Sequence, residues 1–134
     1  MLAHGFYVSR STFAPQNVAD HEILRQARKN NPKLDLTGCL FRAPNYYAQI
    51  LEGPIQSVEQ MMSAIRVDAR HFDIIEWPAS ETASRIFPDW SMGYAKNEIA
   101  DAQLLAFGQA EQRKISEIAE ILQRVFEGDY DIYE

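Results

Sequence analysis

Tyr46-Tyr47-Ala48-Gln49-Ile50-Leu51-Glu52-Gly53-Pro54 is the stretch on which the fold turns. Aromatic and aliphatic residues up to Leu51, then Gly-Pro, predict a strand that ends in a helix-starting turn. Side chains alternate along a strand, so Tyr47, Gln49 and Leu51 share one face. If that face is buried, a carboxamide enters a core, where an unpaired amide costs about 1–3 kcal/mol. Glutamine offers donors and an acceptor and can present either by rotating, which suits it to reading a polar ligand. A solvated strand glutamine is the plain alternative.

Outward from this strand, Leu34 to Phe41 reads as its predecessor, with a turn at Pro44-Asn45 between them. Before that, Leu2 to Ser9 reads as a first strand with Tyr7 and Ser9 on one face. Asn17 is the expected N-cap of a helix running to about Asn30, ended by Pro32. Ile23, Ala27 and Asn30/Asn31 give that helix an apolar face closed by amides. After Pro54, Ser57-Val58-Glu59-Gln60 has the form of a capping box, and Val58, Met61, Met62, Ile65 and Ala69 form a helical stripe. Phe72 to Thr82 and Trp90 to Tyr94 read as fourth and fifth strands. Asp101 to Phe126 reads as two amphipathic helices. The order predicts an α+β fold, a ferredoxin-like βαββαββ sheet with two helices on one face and the C-terminal helices covering the other.

The 134 residues suit one core, with 46% apolar and 24% charged residues. The net charge of −6 argues against nucleic acid. No apolar run approaches the roughly 20 residues that span a bilayer. The start lacks a signal-like pattern and Cys39 has no partner cysteine, so a cytoplasmic location is expected. His4, His21 and His71 are too dispersed for a metal site, and no HExxH, Walker loop or GxGxxG is present.

Several pieces resemble the BLUF family of flavin-binding blue-light sensors: Tyr7-Val8-Ser9, Ala27-Arg28-Lys29-Asn30-Asn31, Leu36-Thr37-Gly38-Cys39-Leu40, Gln49-Ile50-Leu51-Glu52-Gly53-Pro54, Asp68-Ala69-Arg70-His71 and Phe87-Pro88-Asp89-Trp90-Ser91-Met92-Gly93. They follow the family's order over roughly residues 2–96. Tyr47-Ala48 departs from it, since larger apolar pairs are usual there. The resemblance implies FAD as cofactor, with FMN or riboflavin as alternatives. It makes Tyr7 the electron donor, and Gln49 the amide between Tyr7 and the flavin N5 and C4=O edge. Electron and proton transfer from Tyr7 through Gln49, rotation or tautomerisation of Gln49 and recombination would leave a red-shifted flavin.

The resemblance also implies that Asn31 contacts C4=O and N3, that Ile23 and Ile65 sandwich the ring, and that Asp68 takes a polar ring edge. Arg70 and His71 would lie near the ribityl and phosphate, with Arg28 as a further phosphate contact. Trp90 and Met92, read as sharing a strand face, would transmit the signal, one or the other lying inward; Ser9 would join the Gln49 network. Each has a plain alternative: core packing for Tyr7, Ile23, Ile65, Trp90 and Met92; a satisfied strand hydroxyl for Ser9; a left-handed helix end for Asn31; a helix C-terminal cation for Arg70 and His71; a solvated face for Arg28.

The chain thus reads as a sensory domain over residues 1–96 with a helical extension over 97–134, and no enzymatic activity of its own. With no room for a cyclase or phosphodiesterase after residue 96, output is expected through a protein partner in trans or through homo-oligomer formation. The stripe Ile115, Ile118, Ala119, Leu122 and Phe126 would cover the bare sheet face or meet that partner. A cofactor-free interaction module and a small acylphosphatase-like enzyme are the alternatives, though the latter would want a phosphate loop that is absent.

Overall fold

The computed structural model describes residues 1–13, 18–109, 113–126 and 130–131. In chain order the elements are β1 (Leu2–Ser11), α1 (Val18–Asn30), a 3₁₀ turn (Asn31–Leu34), β2 (Thr37–Arg42), β3 (Tyr46–Pro54), α2 (Ile55–Arg66), β4 (His71–Glu81), β5 (Gly93–Lys96), α3 (Asp101–Gln109), α4 (Ile115–Val125) and β6 (Tyr130–Asp131). The strands form one sheet in the order β4-β1-β3-β2-β5-β6. Each of the first four runs antiparallel to its neighbours among them, and β5 runs parallel to β2. This is the ferredoxin-like order, with β5 and β6 added at one edge.

β3 lies at the centre, and its residues are buried from Tyr46 to Gly53. Its alternation divides the protein into two cores. Tyr7, Leu40, Tyr47, Leu51, Met92 and Tyr94 face α1 and α2, packing with Leu24, Val58 and Met62. Phe6, Phe41, Ala48 and Ile50 face the other way, under α3 and α4. There Ile115, Ile118, Ala119, Leu122 and Phe126 are all buried, so the tail helices cover that sheet face. Gly38 lets β2 and β3 approach: a Cβ there would stand 2.0 Å from the Ile50 carbonyl oxygen.

Several boundaries differ from expectation for local reasons. Pro54, with its fixed φ, leads directly into α2 at Ile55; the helix has no side-chain cap, and Ser57 sits inside it. Pro32 lies within a 3₁₀ turn that begins at Asn31 instead of only ending a helix, and β2 starts at Thr37. β5 starts at Gly93, leaving Trp90 and Met92 in the preceding turn. Asn17, the expected N-cap, lies outside the described residues.

Candidate functional site

β1 and β3 pair so that Tyr7 stands directly opposite Gln49. Cross-strand neighbours on one face are close enough for their side chains to meet. The Tyr7 hydroxyl donates to Gln49 Oε1 at 2.7 Å. Gln49 Nε2 reaches the Met92 sulfur at 3.7 Å. Burial pushes the Tyr7 phenol well above its ordinary pKa, with the Tyr47 and Asp68 charges adding to the effect, so it stays protonated at neutral pH.

Over Gln49 a cavity of about 210 Å³ opens between α1 and α2. Ile23 and Ala27 form one wall; Met61, Ala64 and Ile65 form the other. Gln49 and Asn31 lie at its base, and Gln26, Asn30, Asp68 and Arg70 supply its polar edge. Below the roughly 300 Å³ of a drug-sized pocket, it suits a flat ring rather than a whole dinucleotide. Asn31 Nδ2 donates to the Ser91 carbonyl at 2.6 Å, which fixes the amide, and its buried Oδ1 has no partner among the described residues. An orphaned acceptor at the base of an apolar slot calls for a ligand donor such as an imide N–H. These residues therefore fit an isoalloxazine. A larger cavity, about 570 Å³, lies beside Phe87–Trp90 and Gln123–Arg124, but Gln49 and Asn31 are not in it.

Asp68 and Arg70 form an ion pair at 2.5 Å at the slot's edge, and Arg70 also donates to Gln26 Oε1 at 3.1 Å. Burial alone would raise the Asp68 pKa, but the hydrogen bonds and charge of Arg70 outweigh it and hold the carboxyl below its ordinary value.

Four expected residues do other work. Arg28 donates through Nε to the Met92 carbonyl at 3.0 Å, which ties α1 to the turn before β5. His71 is buried, with Nδ1 2.7 Å from Ser9 Oγ and Nε2 2.7 Å from the Ile65 carbonyl. Both of its ring nitrogens are thus engaged by protein groups. Ser9 accordingly bonds His71 and not Gln49. Trp90 stacks on Phe87 at 5.3 Å and packs with the tail-side core, while Met92 contacts Gln49.

Sequence reasoning missed a buried cluster beside the slot. Asp20 Oδ2 accepts from Arg42 Nε at 3.0 Å and from the Tyr94 hydroxyl at 2.8 Å, while Oδ1 accepts from the Tyr47 hydroxyl. The Arg42 guanidinium lies 4.4 Å from the Tyr47 ring centre. Burial, with the bond and charge of Asp20, drives both phenols above their ordinary pKa. Strand parity was the available signal, since Arg42 shares a face with Leu40 and Tyr47 with Gln49.

A sheet whose phenol–amide pair opens into a slot with apolar helical walls defines a binding domain for a flat, polar-edged ligand. A family model described as "BLUF: Sensors of blue-light using FAD" matches residues 2–93, and the chain belongs to that family of flavin-binding blue-light sensors. It is 29% identical over 94 residues to photoactivated adenylate cyclase subunit beta of Euglena longa, covering 69% of this chain and 11% of that protein. It is 32% identical over 83 residues to the blue light- and temperature-regulated antirepressor BluF of Escherichia coli (strain K12), covering 62% and 19%. The chain thus spans only about a tenth to a fifth of these curated relatives. The dark state structure of BlrB, a BLUF protein, superposes with a TM-score of 0.74 at 26% identity, over 91% of this chain and 92% of that one. An acylphosphatase-like reading of the sheet gives way to this membership.

Proposed function

We propose that this chain is a photoreceptor in which Tyr7, Gln49 and Met92 form a hydrogen-bond switch beneath a flavin held between α1 and α2. The 2.7 Å bond from Tyr7 to Gln49 at the base of the slot carries the reading. Ile23 and Ile65 would clasp the ring, Asn31 and Gln49 would read its polar edge, and Asp68 with Arg70 would stand where the ribityl chain leaves. Arg70 at the rim favours a phosphate-bearing flavin, FAD or FMN, over riboflavin, and FAD is the flavin that the family's description names.

A bound flavin supplies absorption of blue light and, once excited, an acceptor for one electron and one proton. With that group bound, Tyr7 would be the electron donor and its hydroxyl the proton donor to Gln49 Oε1, Gln49 Nε2 would hold the next proton for the acceptor, and recovery of one electron and one proton by Tyr7 would leave the amide rotated or tautomerised. Tyr7 can do this because a hydroxyl both donates and accepts, so it satisfies either orientation of the amide. Rotation would take Nε2 away from Met92, whose backbone is held by Arg28. Met92 is then the first residue to register the switch, and β5 the first element.

The change is carried by β5 and the extension from residue 97 to a protein partner or to a second copy of the chain. Among the described residues no helix is long and apolar enough to cross a membrane, and we place the protein in the cytoplasm. Blue light should shift the absorption of the flavin-loaded protein reversibly to the red. Gln49→Leu should bind flavin but show no shift. A protein that takes up no flavin on reconstitution refutes the cofactor assignment, and a normal shift in Gln49→Leu refutes the switch.

A further inference from the structure

His71 opens β4 at the seam between the sheet and the end of α2. The Ile65 carbonyl oxygen 2.7 Å from Nε2 can only accept, so Nε2 carries the hydrogen. In the neutral ring Nδ1 then holds only a lone pair, and the Ser9 hydroxyl 2.7 Å away must donate to it. The same ring stands edge-on to Tyr7, with centres 5.5 Å apart and planes at 69°, and to Tyr47 at 6.4 Å. One imidazole therefore touches the reactive phenol, ties down the residue two places along β1 from it, and anchors a wall residue of the slot.

The geometry points to His71 as a positioning residue for Tyr7, with the neutral, Nε2–H form as the state in which Tyr7 reacts. This rests on the proposed role of Tyr7 as electron donor. Ser9 and Tyr7 share a strand face, so the Ser9–His71 bond fixes where the Tyr7 ring sits relative to Gln49. The bond to Ile65 fixes the slot wall to the same point. Protonation of Nδ1 would turn Ser9 from donor to acceptor. It would also place a positive charge at the edge of the ring from which an electron must leave, and a like charge opposes that loss.

The titratable and charged groups facing His71 are Tyr7 on β1, Tyr47 on β3, and Asp68 and Arg70 from the turn after α2. Burial holds both phenols protonated; Arg70 outweighs burial at Asp68 and holds that carboxyl ionised; and the guanidinium stays charged. Protonation of the imidazole would add its charge beside these groups.

The test measures red-shift yield per absorbed photon, and flavin affinity, from about pH 5 to pH 8. Wild type should lose yield as the pH falls. Ser9→Ala should lower the yield at neutral pH by roughly two- to tenfold, the effect of one lost hydrogen bond, with flavin still bound. Ser9→Thr keeps a hydroxyl and should restore it. His71→Gln should flatten the pH profile; if that variant does not fold, the two Ser9 variants decide. Ser9→Ala with wild-type yield and pH profile overturns the inference. So does loss of flavin from His71→Gln with full yield in the bound fraction, which would make His71 a ligand contact. A wild type that shows no red shift at any pH instead overturns the reading of Tyr7 and Gln49 on which this rests.

Discussion

Replacing Asp20 with asparagine should cost the fold about 3–5 kcal/mol, the penalty for breaking a buried ion pair on one side. Asp20 is 1% exposed and Arg42 0%, so neither group has water to fall back on. The carboxylate accepts from Arg42 Nε at 3.0 Å, from the Tyr94 hydroxyl at 2.8 Å and from the Tyr47 hydroxyl. Asparagine keeps the shape but has one acceptor oxygen and no charge. At least one donor then faces an NH₂ group, and the guanidinium loses the carboxylate that neutralises it. Tyr94→Phe removes a single donor and leaves the ion pair, so it should cost only about 1 kcal/mol. Combined, the two should cost less than their sum, because they share a partner. Urea unfolding followed by circular dichroism reads this directly. With slopes of roughly 1–3 kcal/mol per molar, Asp20→Asn should lower the midpoint by at least about 1 M. A loss below about 1 kcal/mol at unchanged slope would refute the account of a dry, charged cluster.

Gly38→Ala should destabilise by about 1–3 kcal/mol in thermal denaturation, since its Cβ meets the β3 backbone at 2.0 Å. Gly5→Ala meets side-chain atoms and no backbone, Val58 Cγ1 at 3.0 Å and Met62 Cγ at 3.9 Å, and should cost less; equal losses would contradict the close-approach argument. Ile65→Trp fills the slot between α1 and α2, so it should abolish flavin uptake while preserving the far-ultraviolet dichroism, and retained stoichiometric flavin would place the ring elsewhere. The Asp68 carboxyl is held below its ordinary value, so its contribution to stability is full above the unfolded pKa of about 3.9 and is lost as the pH falls through the lower folded value. Stability measured over that acid range should fall less steeply in Asp68→Asn; an identical slope would remove the Arg70 pair as the cause.

The central strand was legible because its parity is fixed by geometry: Tyr47, Gln49 and Leu51 had to share a face. Gly53-Pro54 had to end the strand, although the helix began sooner than Ser57 suggested, because proline's locked φ already serves the entry. The stripe from Ile115 to Phe126 was legible for a similar reason, as its spacing matches a helix with one dry side. The residues before β5 were not. Trp90 and Met92 are two apart, which in a strand means one face; in a turn that rule lapses, and they point to different cores. Arg28 and His71 looked like phosphate ligands because cations near helix ends are usually solvated. Each instead makes a hydrogen bond to a residue more than sixty positions away, Arg28 to Met92 and His71 to Ser9.

By itself, the sequence determined the order of elements from β1 to α4 and the face that Gln49 shares with Tyr47 and Leu51, since these follow from side-chain periodicity and backbone restriction within a few residues; whether that face was buried it left open. Tertiary structure alone decided what that carboxamide meets. The register of β1 against β3 brings Tyr7 opposite Gln49, the turn before β5 brings Met92 to its other side, and the packing of α1 on the sheet draws Asp20 over Arg42, Tyr47 and Tyr94. Those contacts join residues 22 to 74 positions apart, and hydrogen bonds and ion pairs act over a few ångströms in space whatever the separation along the chain.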